Sequence, residues 1–222
     1  MPRVLVTGAG RGIGLEFARQ YAADGWEVIA TVREPAKSGE LARLGVRVEA
    51  LDMRHFAALA AFPERLGGEP LDLFIANAGI SRAKWIRSGG DARDWQEVHS
   101  VNAVAPTLLA ETLLPLVEAA GGRMAAISSE MGSIAGSSGG YVGYRASKAA
   151  LNAAWRALAL GWTDRDVTLL LLHPGWVQTD MGGPQAPLPV EVSVAGMRRV
   201  IADLPRSASG AFVDYRGVPV SW

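Results

Sequence analysis

The chain has 222 residues, 49% of them hydrophobic, and its 22 basic residues balance its 22 acidic ones. This length suits one domain with a sizeable core, and the balanced charge lacks the basic excess that nucleic acids and anionic membranes attract. There is no cysteine, which excludes disulfides, thiolate metal sites and a cysteine nucleophile.

The sequence also lacks a metal-ligand pattern and a membrane-targeting or membrane-spanning segment. The three histidines, His55, His99 and His173, are far apart and lack ligand spacing, so we expect no metal site. The N-terminus has no signal-peptide pattern, and apolar runs such as VTLLLL at 167–172 are too short to span a bilayer. We therefore expect a cytoplasmic protein that binds neither nucleic acid nor membrane.

Short apolar runs typical of buried strands alternate with helical segments along the chain. Strand 3–7 precedes helix 13–23, strand 27–32 precedes helix 37–44, strand 46–51 precedes helix 55–66, and strand 71–76 precedes a long helix over 94–120. Strand 123–128 precedes helix 141–160, strand 167–172 precedes helix 190–202, and the last strand covers 211–215. Pro63, Pro106 and Pro115 are the weak points of the helices.

This alternation predicts the fold class. Strands that are apolar throughout and separated by helices are typical of a parallel sheet covered on both faces. We predict one α/β domain over residues 1–222. It is a doubly wound Rossmann fold with a mostly parallel seven-stranded sheet and helices on both faces. The Gly-Ser loop at 132–140 is too short to be a domain boundary.

The turn TGAGRGIG at 7–14 joins the first strand to the first helix. A doubly wound sheet binds a dinucleotide there, because glycines let the backbone approach a pyrophosphate and the helix N-terminus favours its charge. The spacing is Gly8-x-x-x-Gly12-x-Gly14, with Ile13 where the commoner motif has glycine. No lysine follows, so this is not a Walker loop. Taken alone, the turn indicates a nucleotide.

Further motifs follow in a specific order. They are Leu51-Asp52, ANAG at 76–79, VNAV at 101–104, ISS at 127–129, YRASK at 144–148 and HPGWVQTDM at 173–181. With the glycine turn, this series resembles the classical short-chain dehydrogenase/reductase family. The loop GGPQAPL after the last motif and the ending VDYRGVPVSW resemble the subgroup of small carbonyl reductases that contains C-factor and sniffer. The resemblance implies an oxidoreductase that moves hydride between a nicotinamide cofactor and a carbonyl or alcohol.

Helix geometry selects one of two tyrosines as the partner of Lys148. Tyr144 lies four residues before Lys148, one turn along the same helix face, whereas Tyr141 lies seven residues before it, about 10 Å away along the axis. A nearby ammonium favours the phenolate, so we expect a lowered pKa for Tyr144. Tyr144 could then exchange a proton with the substrate oxygen. YRASK matches the family's Tyr-x-x-x-Lys motif.

The resemblance implies the other catalytic roles. Ser129 would hydrogen-bond the substrate oxygen, although strand alternation lets only one of Ser128 and Ser129 face the tyrosine, and Ser128 remains an alternative. Asn102 would interrupt its helix and hold a water linked to Lys148, which would also bind the cofactor ribose. The remaining implied cofactor residues are Gly8, Gly12, Ile13, Gly14, Asp52 at the adenine, Asn77, Gly79, Pro174, Gly175, and Val177 with Thr179 at the nicotinamide. Trp176 could belong to the core or to the wall of the site.

The end of the second strand indicates which nicotinamide cofactor binds. NAD enzymes place an acid there on the ribose hydroxyl, but this strand ends in Val32 and is followed by Arg33. Arg33 and Arg11 could face a 2′-phosphate, which predicts NADP(H). Glu34, one residue further on, keeps NAD(H) as the alternative.

The substrate, the oligomeric state and the class of function stay open on the sequence alone. The expected partner is a small-molecule carbonyl or alcohol, and a homodimer is possible. A different class, a dinucleotide-binding signalling protein with weak or vestigial catalysis, is the alternative function. An isomerase or dehydratase of the extended relatives is disfavoured, since only about 40 residues follow the last motif, too few for an added domain.

Overall fold

The seven strands form one sheet in which every pair is parallel. In the computed structural model, which describes residues 1–82 and 85–222, the order is β3-β2-β1-β4-β5-β6-β7. The strands are β1 (Arg3–Thr7), β2 (Glu27–Val32), β3 (Arg47–Ala50), β4 (Leu73–Ala76), β5 (Arg123–Ile127), β6 (Thr168–His173) and β7 (Ala211–Asp214). The predicted doubly wound sheet is confirmed, and it is parallel throughout.

Helices cover both faces of this sheet. They are α1 (Gly12–Ala23), α2 (Gly39–Arg43), α3 (Phe56–Ala60), α4 (Phe62–Arg65), α5 (Gly89–His99), α6 (Ala105–Ala119), α7 (Val142–Gly161) and α8 (Val190–Asp203). Alternate residues of each strand point to opposite faces. Leu5 therefore packs with α3, α4, α6 and α7, whereas Val4 and Val6 pack with α1, α2 and α8.

Two predicted helices differ from those observed. The segment predicted as helix 37–44 forms a 3-10 turn at Pro35–Lys37 and then the short α2. The segment predicted as helix 55–66 is divided into α3 and α4, with Pro63 in the first turn of α4. Proline fits a first turn because the amide proton that it lacks would have no partner there.

The long helix predicted to begin at residue 94 begins five residues earlier. The Ser88 hydroxyl accepts a hydrogen bond from the Asp91 amide at 3.2 Å, which caps the N-terminus of α5. A π-turn at Ser100–Val104 separates α5 from α6, and Pro106 lies just after it, in the first turn of α6. Such a turn rearranges the helical hydrogen bonds, so it accommodates a residue with no amide proton.

The helical stretch Gly89–Ala119 is long and apolar enough to cross a membrane by length and composition, with half of its most apolar window buried inside the domain. Leu109, Leu113 and Val117 in this stretch are fully buried in the core. The apolar face of α6 is therefore used in packing against the sheet.

The strand order reverses between β1 and β4, which are neighbours in the sheet. From β1 the chain builds outward to β2 and β3, and from β4 it builds the other way. A crevice opens at such a switch point, beyond the carboxyl ends of the strands. The glycine turn follows β1 and the ANAG segment follows β4, so both lie at this crevice.

Candidate active site

A cavity of about 420 Å³ occupies the crevice. Its volume is within the range of small-molecule and cofactor sites. Most of the residues predicted from the sequence line it: Gly8, Arg11, Gly12, Ile13, Gly14, Arg33, Asp52, Asn77, Gly79, Tyr144, Lys148, Pro174 and Thr179. Asn102, Ser129, Gly175 and Val177 lie outside the lining.

The glycine turn packs too closely for side chains. Gly8 has φ +66°, and a Cβ there would lie 2.9 Å from the Cα of Ala78. A Cβ on Gly14 would lie 2.5 Å from both the Gly8 carbonyl oxygen and the side-chain nitrogen Nδ2 of Asn77. Gly12 has φ +54° and faces Thr179. All three glycines also line the cavity at the N-terminus of α1, where backbone amides without side chains suit a pyrophosphate.

Thr7, which was not among the residues predicted from the sequence, holds the two loops of the crevice together. Its buried hydroxyl accepts hydrogen bonds from the Asn77 amide at 3.0 Å and the Ala78 amide at 3.1 Å. The Asn77 side chain returns a bond of 2.9 Å to the Thr7 carbonyl. The available signal was a polar residue at the end of an otherwise apolar strand, directly before Gly8.

Tyr144 and Lys148 meet at the cavity as their spacing predicted. The Lys148 ammonium lies 5.8 Å from the centre of the Tyr144 ring and donates a 2.7 Å hydrogen bond to the Ile127 carbonyl at the end of β5. Gly132 lets the turn after β5 approach α7, since a Cβ there would lie 2.8 Å from the Lys148 backbone. Tyr141 is the N-cap of α7 with a left-handed backbone, φ +51°, and does not line the cavity.

The expected lowering of the Tyr144 pKa is not found. Burial raises the pKa of Tyr144 to about 12, and the hydrogen bond from Ser129 opposes this only in part. Burial also lowers the pKa of Lys148 to about 8. Loss of water disfavours the charged form of each group, and the ammonium bonds to a backbone carbonyl instead of the phenol.

The two serines after β5 have different partners. The Ser129 side chain hydrogen-bonds the Tyr144 side chain and accepts a 3.1 Å bond from the Met131 amide. The Ser128 hydroxyl instead donates to the buried Asn152 side chain at 2.5 Å, although Ser128 lines the cavity. This geometry favours Ser129 as the partner of Tyr144.

Asn102 lies in the π-turn and fixes the loop after β4. Its carbonyl oxygen accepts from the Ile80 amide at 2.8 Å, and its amide donates to the Ile80 carbonyl at 2.8 Å and to Ser147 at 3.0 Å. A Cβ on Gly79 would lie 3.4 Å from the Asn102 oxygen and 3.7 Å from the Lys148 nitrogen. Asn102 therefore lies in the break between α5 and α6, and the water link to Lys148 that the resemblance implied stays a prediction.

The segment after β6 forms the remaining wall. Gly175 has φ +83°, and a Cβ there would lie 2.7 Å from Leu188, so glycine allows this turn. Val177 is buried and bridges Leu188, whereas Thr179 lines the cavity. Trp176 is 54% exposed and donates to the Gly182 carbonyl at 2.8 Å, which places it on the surface and not in the core.

The basic side chains of the cavity differ in whether a carboxylate neutralises them. Arg11 pairs with Asp180, Lys37 with Glu34, Arg54 with Asp52, and Arg82 with Glu97. Among the described residues, Arg33 lines the cavity without a direct ion pair, although Glu34 lies near enough for the charge of Arg33 to help lower its pKa. Of the arginines that line the cavity, Arg33 is therefore the most available to an incoming anion.

Asp52 and Glu34 are both engaged by cations. The Arg54 guanidinium holds the pKa of Asp52 down at about 2 through a two-pronged contact at 3.0 Å and 2.5 Å. The hydrogen bond from Lys37, at 2.6 Å, lowers the pKa of Glu34. Both acids line the cavity in their charged forms.

Comparison with known proteins identifies the family. The family model for short chain dehydrogenase matches residues 2–187. The chain is 43% identical to C-signal of Myxococcus xanthus over 167 residues, which is 74% of this chain and all of that protein.

Solved structures agree with this match over the whole chain. An NADPH-bound carbonyl reductase from chicken fatty liver superposes with a TM-score of 0.91 at 36% identity, covering 100% of this chain and 99% of that one. The carbonyl reductase Sniffer of D. melanogaster superposes with a TM-score of 0.91 at 30% identity, with both chains fully covered. These similarities confirm the resemblance predicted from the sequence motifs.

Proposed function

We propose that this chain, which belongs to the short-chain dehydrogenase family, is an NADPH-dependent reductase that acts on a small carbonyl substrate and its alcohol. The proposal is carried by Tyr144 and Lys148, which line a cavity beside the glycine turn, and by Ser129, which hydrogen-bonds Tyr144 there. The carbonyl reductases among its structural relatives support the substrate class, and the NADPH in one of them supports the cofactor.

The residues present fit a dinucleotide. Gly8, Gly12 and Gly14 line the cavity without side chains, a Cβ at Gly8 or Gly14 would clash with the neighbouring loop, and Arg33 offers a guanidinium with no direct ion pair after β2. When bound, the nicotinamide supplies the hydride. Asn77 and Thr7 hold the turn that would face the pyrophosphate. Lys148 and Thr179, at the far wall, would hold the ribose and the nicotinamide amide.

In this proposal Tyr144 is the proton donor during reduction. With its pKa raised to about 12, the phenol keeps its proton at neutral pH and can give it to the substrate oxygen as negative charge develops there. Ser129 orients that oxygen, because its hydroxyl already reaches the Tyr144 hydroxyl. Lys148 stabilises the phenolate that remains, since its ammonium lies against the Tyr144 ring.

Arg33 is proposed to set the preference for NADPH. A charge-assisted hydrogen bond to phosphate contributes about 1.5–3 kcal/mol, or roughly ten- to a hundredfold in binding. Arg33 interacts with Glu34 only at longer range and makes no direct ion pair among the described residues, so none has to break when it binds phosphate.

A panel of aldehydes and ketones, assayed with NADPH and with NADH, tests the function and the cofactor together. We expect turnover, with a kcat/KM for NADPH at least about tenfold above that for NADH. Arg33→Ala should remove most of this preference and leave NADH use unchanged. Arg43→Ala is the matched control, since Arg43 is exposed on the nearby α2 and does not line the cavity. A wild type that prefers NADH would refute the assignment and favour Glu34 as the ribose ligand.

The similarity to C-signal favours one other candidate, a signalling protein that binds a dinucleotide with little turnover. The same assay separates the two functions. Tight NADPH binding without turnover on any carbonyl would support the signalling protein.

We further propose a cytoplasmic setting, in keeping with the small-molecule substrate and with an α6 whose apolar face packs in the domain core.

A further inference from the structure

An ion pair joins the two walls of the cavity. Arg11 lies on the glycine turn, Asp180 lies on the segment after β6, and their side chains meet at 2.7 Å. Both residues line the cavity, and their side chains are 76% and 74% exposed. Arg11 is thus held toward the β6 side of the crevice, whereas Arg33 follows β2 on the other side of β1.

We propose that Asp180 is a specificity-determining residue that restrains the preference for NADPH by holding Arg11. This inference rests on the proposed function. A phosphate on the adenosine ribose would be reached by Arg33 directly, but Arg11 can contribute its charge only by giving up its carboxylate partner. Asp180 therefore makes Arg11 a weaker phosphate ligand than its position in the turn suggests.

The exposure of the pair fixes the size of the effect. Ion pairs in water are weak, and a well-exposed pair of this kind is worth a few-fold in an equilibrium constant. Arg11 can therefore leave Asp180 to bind the cofactor phosphate, but breaking the ion pair reduces the affinity for NADP⁺. Removing the carboxylate of Asp180 should strengthen NADP⁺ binding by about two- to fivefold.

Calorimetric titration of the protein with NADP⁺ and with NAD⁺ tests this, and it needs no turnover. Asp180→Asn should bind NADP⁺ about two- to fivefold more tightly than wild type and gain less for NAD⁺, which lacks the phosphate. In an Arg11→Ala background the same substitution should give no gain specific to NADP⁺. Asp164→Asn is the matched control for charge, because Asp164 is exposed and does not line the cavity.

If the wild type binds NADP⁺ normally, three results would overturn this inference and leave the proposed function standing. If Asp180→Asn binds both cofactors more weakly, the ion pair closes over the bound dinucleotide instead of competing with it. If the gain is equal for both cofactors, or persists without Arg11, Asp180 acts as a general repulsive charge. A wild type that binds neither cofactor would overturn the proposed function, and the inference with it.

Discussion

Burial of Lys148 should make folding stability depend on pH, and Lys148→Met should remove that dependence. Burial lowers the pKa of this ammonium from its ordinary 10.5 to about 8. Between these values the unfolded chain binds a proton that the folded protein does not, so stability rises with pH through this window. The cost of the buried charge is fully present below pH 8. The difference between the unfolded and folded pKa values of Lys148 corresponds to roughly 3 kcal/mol of unfolding free energy.

Urea unfolding of the cofactor-free protein, measured from about pH 7 to about pH 10, checks this prediction. Relative to Lys148→Met, the wild type should gain about 2–3 kcal/mol across that range. Tyr21 and Tyr144, whose pKa values burial raises to about 12, are present in both proteins and cancel in the difference. Lys37→Met, at an exposed lysine paired with Glu34, is the control and should show no such trend. If the difference in unfolding free energy between wild type and Lys148→Met does not change with pH, the Lys148 ammonium is not desolvated in the folded protein.

Two further predictions concern the glycine turn and the serines. Gly14→Ala should reduce NADP⁺ affinity by at least about tenfold, because a Cβ would lie 2.5 Å from Asn77 and Gly8 and would separate the two loops of the crevice. Calorimetric titration with NADP⁺ checks this. Gly161→Ala is the control, because a Cβ there has nothing within 4 Å. Ser129→Ala should lower kcat by roughly a hundredfold, because Tyr144 and the substrate oxygen lose their shared hydroxyl. Ser128→Ala, whose partner is Asn152, should affect thermal stability more than kcat. The reverse order in kcat would identify Ser128 as the residue that contacts the substrate.

Much of the fold could be predicted because strands buried on both faces give unbroken apolar runs. All seven runs form strands, and their alternation with helices correctly indicated the doubly wound sheet. The predictions were wrong where hydrogen bonding, and not the hydrophobic pattern, determines where a helix begins or breaks. The start of α5 depends on one serine hydroxyl, Ser88, and the break before α6 depends on hydrogen bonds within a π-turn.

The candidate site divides in the same way. The spacing of Tyr144 and Lys148 placed both at the cavity, because helix geometry is local. The bonds of Thr7 to the loop after β4 join residues about 70 positions apart, and no spacing rule reports them. The direction of the Tyr144 pKa was wrong for the same reason. Burial, which raises the pKa of Tyr144 and is offset only in part by the Ser129 hydrogen bond, is a property of the folded chain.

Tyr144 is proposed to donate the proton in an NADPH-dependent reduction. The most direct test is to measure NADPH oxidation with an accepted carbonyl, together with NADPH binding, in wild type, Tyr144→Phe and Tyr141→Phe. We predict that Tyr144→Phe loses at least about a hundredfold in kcat and still binds NADPH, since only the proton donor is removed, whereas Tyr141→Phe keeps most of its activity. Normal turnover by Tyr144→Phe, or loss of turnover in Tyr141→Phe alone, would contradict the account.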